Sequence, residues 1–241
     1  MAADAVLYAV RDGVGTITLN RPAVLNALDM DLTIQLAEAA GRAFSSGMDR
    51  TALSAGQVAE PFFRNWNRAL SLLEDMPKVV VAVCHGYCIG GGLQLAVACD
   101  LRLAAEDCVL GLGATEHGLV PDGSILRLAR IVGLGRAKEL TLLNDWLRAD
   151  EARAMGLVNW VVPAAELDTK LAAVVGRALE SSRTANGHAK RLLHESFHTD
   201  PRAMLEEVLR AQADCMASPE MEEANRAWVE KRPARYFRPG P

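Results

Sequence analysis

A run of three glycines at the start of a helical pattern constrains this chain more than any other feature. These glycines, residues 90–92, follow an apolar segment at 79–84 whose length and composition predict a buried strand. The small and apolar residues at 93–99 then predict a helix. A strand, a glycine turn and a helix start leave backbone N–H groups without partners, and the helix dipole favours negative charge there. The segment therefore predicts a site for an oxyanion.

Composition excludes several classes of protein. Half of the 241 residues are hydrophobic, which is enough for one sizeable core with an appended helical part. A formal net charge of −4 does not favour binding to nucleic acid, and no apolar run reaches membrane-spanning length. The first five residues lack the regions of a signal peptide. Five cysteines, mostly in apolar runs, predict free buried thiols and a cytoplasmic protein.

A metal site is not predicted. Cys84, His85 and Cys88 lie close together in the sequence, but no second cluster of ligands accompanies them.

Patterns along the chain predict an α/β core followed by helices. Residues 5–10 and 15–20 alternate and predict a hairpin, and Asp29 can cap a helix that runs to about residue 40. An amphipathic helix is predicted at 61–74. We place the core at residues 1–163 and a helical C-terminal region at 164–241. Further strands are predicted at 79–84, 101–104, 108–112 and 158–162, and further helices at 124–132, 137–143, 183–195, 201–216 and 219–230.

A second glycine-containing loop lies at residues 41–49, where apolar residues are followed by a tight turn and an acidic residue. Alone it predicts no more than a turn. Two backbone donors from separate loops that met across one pocket would form a complete oxyanion hole.

Several further segments stand in a fixed order along the chain together with the two glycine loops. The segments are Asn20-Arg21-Pro22 with Leu25-Asn26-Ala27-Leu28, the glycine loops at 41–49 and 86–100, Gly118-Leu119-Val120-Pro121-Asp122, the stretch 149–162, and Glu230-Lys231-Arg232-Pro233. In this order they resemble segments of the crotonase superfamily, which comprises enoyl-CoA hydratases and isomerases. Each segment alone is a weak signal, but together they are specific and cover nearly the whole chain.

The resemblance implies a spiral of β-β-α turns with a C-terminal helical oligomerisation region, and a homotrimer or a dimer of trimers. It also implies an acyl-CoA substrate whose thioester carbonyl lies between two backbone N–H groups. By position these N–H groups belong to Met48 and Gly91. CoA is then part of the substrate, and no metal or redox cofactor is implied. The substrate and its pantetheine arm would be flanked by Met48, Asp49, Arg50 and Thr51, with Ala23 and Leu25 at the CoA entrance or engaged in simple loop packing.

Two departures from the family pattern bear on the reaction. Hydratases of this superfamily handle water with two glutamates, and these positions fall here on Gln94 and Ala114. Glutamine can orient a water molecule but cannot accept its proton, and alanine can do neither. Ordinary hydration is therefore not expected.

Asp122 is the best remaining base, because one carboxylate beside a polarised thioester suffices to move a double bond. The alternative is that Asp122 caps a helix beginning near Ser124. Three functions stay open. They are a double-bond isomerase that uses Asp122, a catalytically inactive acyl-CoA-binding protein, and an atypical hydratase that uses Glu116 or a water held by Gln94.

The chain is also shorter than the family pattern. Between Ala40 and Gly41 the family carries a further helix end, an acidic connector and a buried strand. Loss of a buried strand would leave ladder groups unpaired. We therefore predict either that a segment is missing from the sequence at this point or that the core is rearranged around it.

Overall fold

The computed structural model describes residues 5–11, 14–28 and 43–236. These fall into two compact units, the first formed by the residues up to Leu73 with Val80–Leu171, and the second by Glu74–Val79 with the residues from Ala172 onward. The boundary predicted after residue 163 stays a prediction. The helix capped by Asp29 and the junction between Ala40 and Gly41 lie outside the described residues.

The first unit begins with the predicted hairpin. Strands β1 (Val6–Arg11) and β2 (Val14–Leu19) pair antiparallel, with Val6 opposite Leu19. Six further strands form two small sheets: β3 (Val81–Cys84), β4 (Tyr87–Ile89), β5 (Leu101–Ala105), β6 (Val109–Gly111), β7 (Leu147–Arg148) and β8 (Trp160–Val162).

From β3 to β6 the chain alternates between these two sheets. One sheet has the order β3-β5-β8 and is parallel throughout, and the other has the order β4-β6-β7. Strand β4 pairs parallel with β6, and β6 pairs antiparallel with β7. Because β3 and β4 are followed by a helix and then by β5 and β6, each β-β-α turn stacks on the one before it. This is the predicted spiral.

Ten α-helices are found in the described residues. They are α1 (Arg50–Ser54), α2 (Glu60–Asp75), α3 (Gly91–Ala98), α4 (Asp122–Ile125), α5 (Leu128–Leu142), α6 (Ala149–Ala154), α7 (Leu167–Leu179), α8 (Arg183–Glu195), α9 (Pro201–Met216) and α10 (Pro219–Glu230). Helix α2 buries the four residues that the 3.6-residue pattern places on one face, namely Phe62, Trp66, Leu70 and Leu73.

The helices predicted for the middle of the chain differ from the structure in their bounds. The helix expected at 124–132 is divided into the short α4 and the first part of α5, and the helix expected at 137–143 corresponds to the second part of α5. Gly133 has φ 78° and ψ 156°, a conformation that is not helical and that glycine adopts readily. Gly133 therefore divides α5 into two helical parts, and this break lies at the predicted gap between residues 132 and 137.

The second unit is helical. Predicted bounds for α8, α9 and α10 are confirmed, because Ser182, Asp200 and Ser218 each accept a backbone N–H at the helix start. Several apolar side chains on these helices are exposed, among them Leu193, Leu205 and Leu209. The predicted oligomer stays a prediction. None of the helices in the described ranges has the length and apolarity that a membrane crossing requires.

Replacing Gly92 by alanine should destabilise the first unit by about 1–3 kcal/mol, because overpacking in a close-packed core costs that much. A Cβ atom at Gly92 would lie 2.7 Å from the backbone oxygen of Ser45, which cannot rotate away as a side chain can. Chemical denaturation would measure the loss.

The matched control is Gly176→Ala in helix α7, where an added methyl group meets no heavy atom within 4 Å. That change should stabilise the protein by roughly 0.5–1 kcal/mol, since glycine is unfavourable inside a helix. Equal effects of the two substitutions would contradict the close approach at Gly92.

Candidate active site

The two glycine loops predicted from the sequence lie side by side. Ser45 N donates to Tyr87 O at 2.9 Å, and Ile89 N donates to Ser45 O at 3.0 Å. Gly47, with φ +85°, brings its backbone against the next turn, where a Cβ atom would lie 3.0 Å from Ile89 O and 3.3 Å from Gly91 N. The loop that ends at Met48 is thereby held against the start of α3.

Met48 and Gly91 line a common cavity of about 280 Å³. Within the described residues, neither the Met48 N–H nor the Gly91 N–H donates a hydrogen bond to a protein acceptor. Gly91 is the first residue of α3, so its N–H also lies at the positive end of the helix dipole. Two free backbone donors from separate loops are thus placed on one cavity, which is the arrangement an oxyanion hole requires.

The wall of this cavity is mainly apolar. Phe62, Phe63 and Trp66 from α2 contribute aromatic rings, and Leu53, Leu112 and Leu119 contribute aliphatic side chains. Among the described residues that line the cavity, Asp122 is the one carboxylate. Such a wall excludes water and strengthens any electrostatic interaction inside the cavity.

Gln94 is buried at the cavity, with 6% of its surface exposed. Its Oε1 accepts from Trp66 Nε1 at 3.0 Å and from the backbone N of Gly123 at 2.8 Å. Two donors facing one amide atom identify that atom as the oxygen, so the orientation of the amide is fixed by its partners. The NH₂ group is left as the part of Gln94 available to the cavity, where it can donate but cannot accept a proton.

Gly123 has to be glycine for this contact to form. A Cβ atom there would lie 2.4 Å from Gln94 Oε1 and 2.5 Å from Leu70 Cδ1. The same contact ties the start of α4, and with it Asp122, to α3 through Gln94.

Asp122 is half-buried at the cavity and is the first residue of α4. The helix starts at this residue without a side-chain cap, so the alternative that Asp122 caps a helix beginning near Ser124 was wrong. Its Oδ2 accepts from Asn67 Nδ2 at 2.5 Å. Burial raises the pKa of Asp122, although the Asn67 hydrogen bond, nearby backbone N–H groups and the Arg127 guanidinium oppose this rise.

Both positions at which hydratases of the family carry a glutamate lie at the cavity. Gln94 and Ala114 line the cavity, so a carboxylate at either position would face it. Glu116 is exposed and lies outside the cavity lining, on the short turn Thr115–His117. Its neighbour His117 does line the cavity and contacts Arg50, whose Nη1 lies 2.8 Å from His117 Nε2.

Of the predicted substrate-binding residues, Met48, Arg50, Gly91 and Gln94 line the cavity. Four others do not, namely Ala23, Leu25, Asp49 and Thr51. The Asp49 carboxylate caps α1 by accepting from Thr51 N at 2.9 Å and Ala52 N at 3.1 Å. Ala23 is exposed on the short turn Pro22–Val24. A role for these four at the CoA entrance stays a prediction.

Asn67 and Gly123 were not predicted from the sequence. Asn67 reads as an ordinary polar residue beside the apolar face of α2, and its partner Asp122 is 55 residues away. Gly123 follows a proline and an aspartate, a composition typical of any turn. No local pattern indicates either contact, since both depend on which loops the fold brings together.

The four cysteines of the first unit are buried and form no disulfide bond within the described residues; they are Cys84, Cys88, Cys99 and Cys108. Within the described ranges no group of three or more His, Cys, Asp or Glu side chains is arranged to hold a metal ion.

Asp122→Asn should stabilise the fold at neutral pH. Burial raises the pKa of Asp122 in the folded protein. At a pH between the pKa of this group in the unfolded chain and its pKa in the folded protein, the folded protein therefore holds a proton that the unfolded chain has lost. Stability therefore falls as pH rises through that interval, and the ionised carboxylate is a cost at neutral pH. Thermal unfolding against pH should show the largest gain for the variant above the folded pKa and no gain once both states are protonated. A variant less stable at neutral pH would contradict this.

A mainly apolar cavity that presents, among the described residues, two free backbone donors and one carboxylate defines a protein that can hold an oxyanion and move a proton beside it. Comparison with known proteins agrees with this class. The model of the family described as Enoyl-CoA hydratase/isomerase matches residues 34–238. The chain is 29% identical to the crotonyl-CoA hydratase of Syntrophomonas wolfei, over 98% of this chain and 99% of that protein. This chain therefore belongs to the enoyl-CoA hydratase/isomerase family.

Solved structures confirm the predicted crotonase-like fold. The enoyl-CoA hydratase of Mycobacterium smegmatis superposes with a TM-score of 0.89 at 27% identity, covering 97% of this chain and 99% of that one. A putative enoyl-CoA hydratase of Thermobifida fusca in complex with acetoacetyl-CoA superposes with a TM-score of 0.80 at 27% identity, covering 89% and 95%.

The alignment also bears on the length of this chain. It runs over 262 positions, whereas the chain has 241 residues, so at least 21 aligned positions have no counterpart here. The chain is thus shorter internally than that relative. The location of the difference between Ala40 and Gly41 stays a prediction.

Proposed function

We propose that this protein binds an enoyl-CoA thioester and moves its double bond between the 3,4 and 2,3 positions, with Asp122 as the acid/base. The observation that carries the proposal is the placement of Asp122, the one carboxylate among the described lining residues and one with a raised pKa, in a cavity that also presents two free backbone donors. One base that takes a proton and returns it is sufficient for this reaction.

The steps follow from the positions of these groups. The thioester oxygen accepts hydrogen bonds from the Met48 and Gly91 N–H groups, which makes the protons on C2 more acidic. Asp122 takes one C2 proton from a 3-enoyl thioester, and the electron pair moves into a dienolate whose negative oxygen stays between the two donors. Protonated Asp122 then gives its proton to C4, so that the C2–C3 double bond and the thioester carbonyl form together.

A raised pKa suits both halves of this cycle. A carboxylate with an ordinary pKa is too weak a base to remove a carbon-bound proton efficiently. An apolar site raises the pKa of the carboxylate toward neutral pH. The conjugate acid is correspondingly better populated when the proton has to be returned.

Hydration fits the site less well. It needs one group that activates water and another that protonates the α-carbon. Gln94 has its carbonyl oxygen occupied by Trp66 and Gly123, and Ala114 has no polar atom. Glu116 is exposed and outside the cavity lining, which does not favour the alternative hydratase mechanism.

Turnover assays with trans-3-enoyl-CoA and trans-2-enoyl-CoA, combined with calorimetric binding of a saturated acyl-CoA, test the proposal. We expect migration of the double bond and no appearance of a 3-hydroxyacyl product. Tight binding without turnover of either substrate would instead identify a catalytically inactive acyl-CoA-binding protein. Formation of the 3-hydroxyacyl product would favour the hydratase.

The proposed ligand is an acyl-CoA, as in the Thermobifida fusca complex. In this proposal CoA is part of the substrate, and backbone dipoles hold the enolate without a metal or redox cofactor. We further propose a homotrimer or a dimer of trimers, and a cytoplasmic location in keeping with the free thiols.

A further inference from the structure

Asn67 forms a hydrogen bond with the carboxylate of Asp122, the group that we assign to proton transfer. It belongs to α2, one residue after Trp66, and does not itself line the cavity. Its Nδ2 donates to Asp122 Oδ2 at 2.5 Å and to Phe63 O, one turn earlier on the same helix, at 3.0 Å. Both hydrogens of the amide nitrogen are therefore engaged before any ligand arrives.

The chemistry of these partners fixes the orientation of the Asn67 amide. A backbone carbonyl oxygen and a carboxylate oxygen are both acceptors, so the atom that faces them must be the nitrogen. Anchoring to Phe63 O holds the side chain against its own helix. The hydrogen bond to Asp122 is charge-assisted and hence among the stronger kinds in proteins.

Resting on the proposed function, we propose that Asn67 is a positioning residue, which holds Oδ2 of Asp122 and leaves Oδ1 as the oxygen that carries the proton between C2 and C4. Asn67 touches no reacting atom and acts through Asp122. A carboxylate fixed in this way cannot rotate its two oxygens past the substrate. One oxygen therefore makes both transfers, on one face of the acyl chain.

The contact has a second effect, on charge. A donor hydrogen-bonded to a carboxylate stabilises its ionised form, and Asn67 is the strongest of the influences that oppose the rise of the Asp122 pKa. The Arg127 guanidinium is the charged group that acts in the same direction. Asn67 therefore limits the rise of the Asp122 pKa that burial causes.

The test compares Asn67→Ala with Asn65→Ala. Both changes replace asparagine by alanine on α2, but the Asn65 side chain makes no hydrogen bond within the described residues and does not line the cavity. The carboxyl resonance of Asp122, labelled with ¹³C and assigned by its loss in Asp122→Asn, is titrated in the ligand-free protein. We expect its pKa to rise in Asn67→Ala and to stay unchanged in Asn65→Ala.

Kinetics supply the second readout. Asn67→Ala should lower kcat for isomerisation about tenfold, the effect of losing one charge-assisted hydrogen bond, with little change in KM. The acid limb of the pH–rate profile should move upward together with the resonance. A change in KM alone would show that Asn67 only shapes the pocket and would overturn the proposal.

Asn67→Asp is a second variant for the case that Asn67→Ala does not fold, because aspartate keeps the size of the side chain. It removes the donor and adds a like charge, so the pKa of Asp122 should rise further than in Asn67→Ala. An unchanged Asp122 titration in both variants overturns the positioning role. If the wild-type protein turns over no enoyl-CoA, the proposed function fails, while the titration still decides whether Asn67 controls Asp122.

Discussion

Asp122→Asn is expected to remove double-bond migration and to leave acyl-CoA binding in place. A positioned general acid or base typically contributes 10²–10⁴-fold, so kcat should fall by about that factor. Asparagine has nearly the size of aspartate, and its side-chain oxygen can still accept from Asn67, so the structure around α4 should persist. Isomerase assays measure the loss, and calorimetry with a saturated acyl-CoA measures the binding that remains.

Glu116→Gln is the matched control. Glu116 precedes Asp122 by six residues but is exposed and outside the cavity lining, so the change should leave the rate unaffected. Isomerisation that survives in Asp122→Asn, or that disappears in Glu116→Gln, would remove Asp122 from the proposed mechanism. Loss of acyl-CoA binding in Asp122→Asn would show that the carboxylate serves to bind the ligand.

The double substitution Gln94→Glu with Ala114→Glu is expected to create hydration of a 2-enoyl-CoA. Both positions line the cavity. One carboxylate oxygen of a glutamate at 94 can accept the two hydrogen bonds, from Trp66 Nε1 and Gly123 N, that Gln94 Oε1 accepts now. The second carboxylate oxygen then lies where the amide nitrogen of Gln94 lies. A glutamate at 114 supplies the second group needed to handle water.

The single variants serve as controls for this gain. Because water activation and protonation of C2 need separate groups, each single variant should produce far less 3-hydroxyacyl-CoA than the pair, and the effects should not be additive. A double variant that folds and binds acyl-CoA yet forms no 3-hydroxyacyl product would contradict the assignment of these two positions. Hydration at the full rate in Gln94→Glu alone would show that Ala114 is not the second position.

Much of the fold was predictable from the sequence because its signals are local. Helix α2 has apolar residues at helical spacing, and the helices from Arg183 onward begin at clear caps such as Asp200 followed by Pro201. Strand β4 was not predicted, because three residues between two glycine turns carry no alternation to detect. The break of α5 at Gly133 lies at the gap predicted between residues 132 and 137, whereas the division between α4 and α5 was not predicted.

The site was predictable to a different extent. The two oxyanion loops and Asp122 follow from glycine spacing and from the family resemblance, and the structure brings them to one cavity. The partners of Asp122 and Gln94 could not be predicted, since Trp66 and Asn67 reach them from a helix that is 28 and 55 residues away, respectively. A contact of this kind depends on the packing of α2 over α3 and α4, and a single sequence does not contain that information.

Gly47 and Gly92 approach the neighbouring backbone closely, so the spacing of the two donors and the reaction depend on different parts of the site. The spacing of the two donors is set by main-chain atoms in contact, where even a methyl group does not fit. The reaction that we propose depends instead on the side chains at positions 94, 114 and 122, which can be exchanged without moving those atoms. Substitutions at these positions can therefore change the chemistry of the site while the two donors keep their spacing.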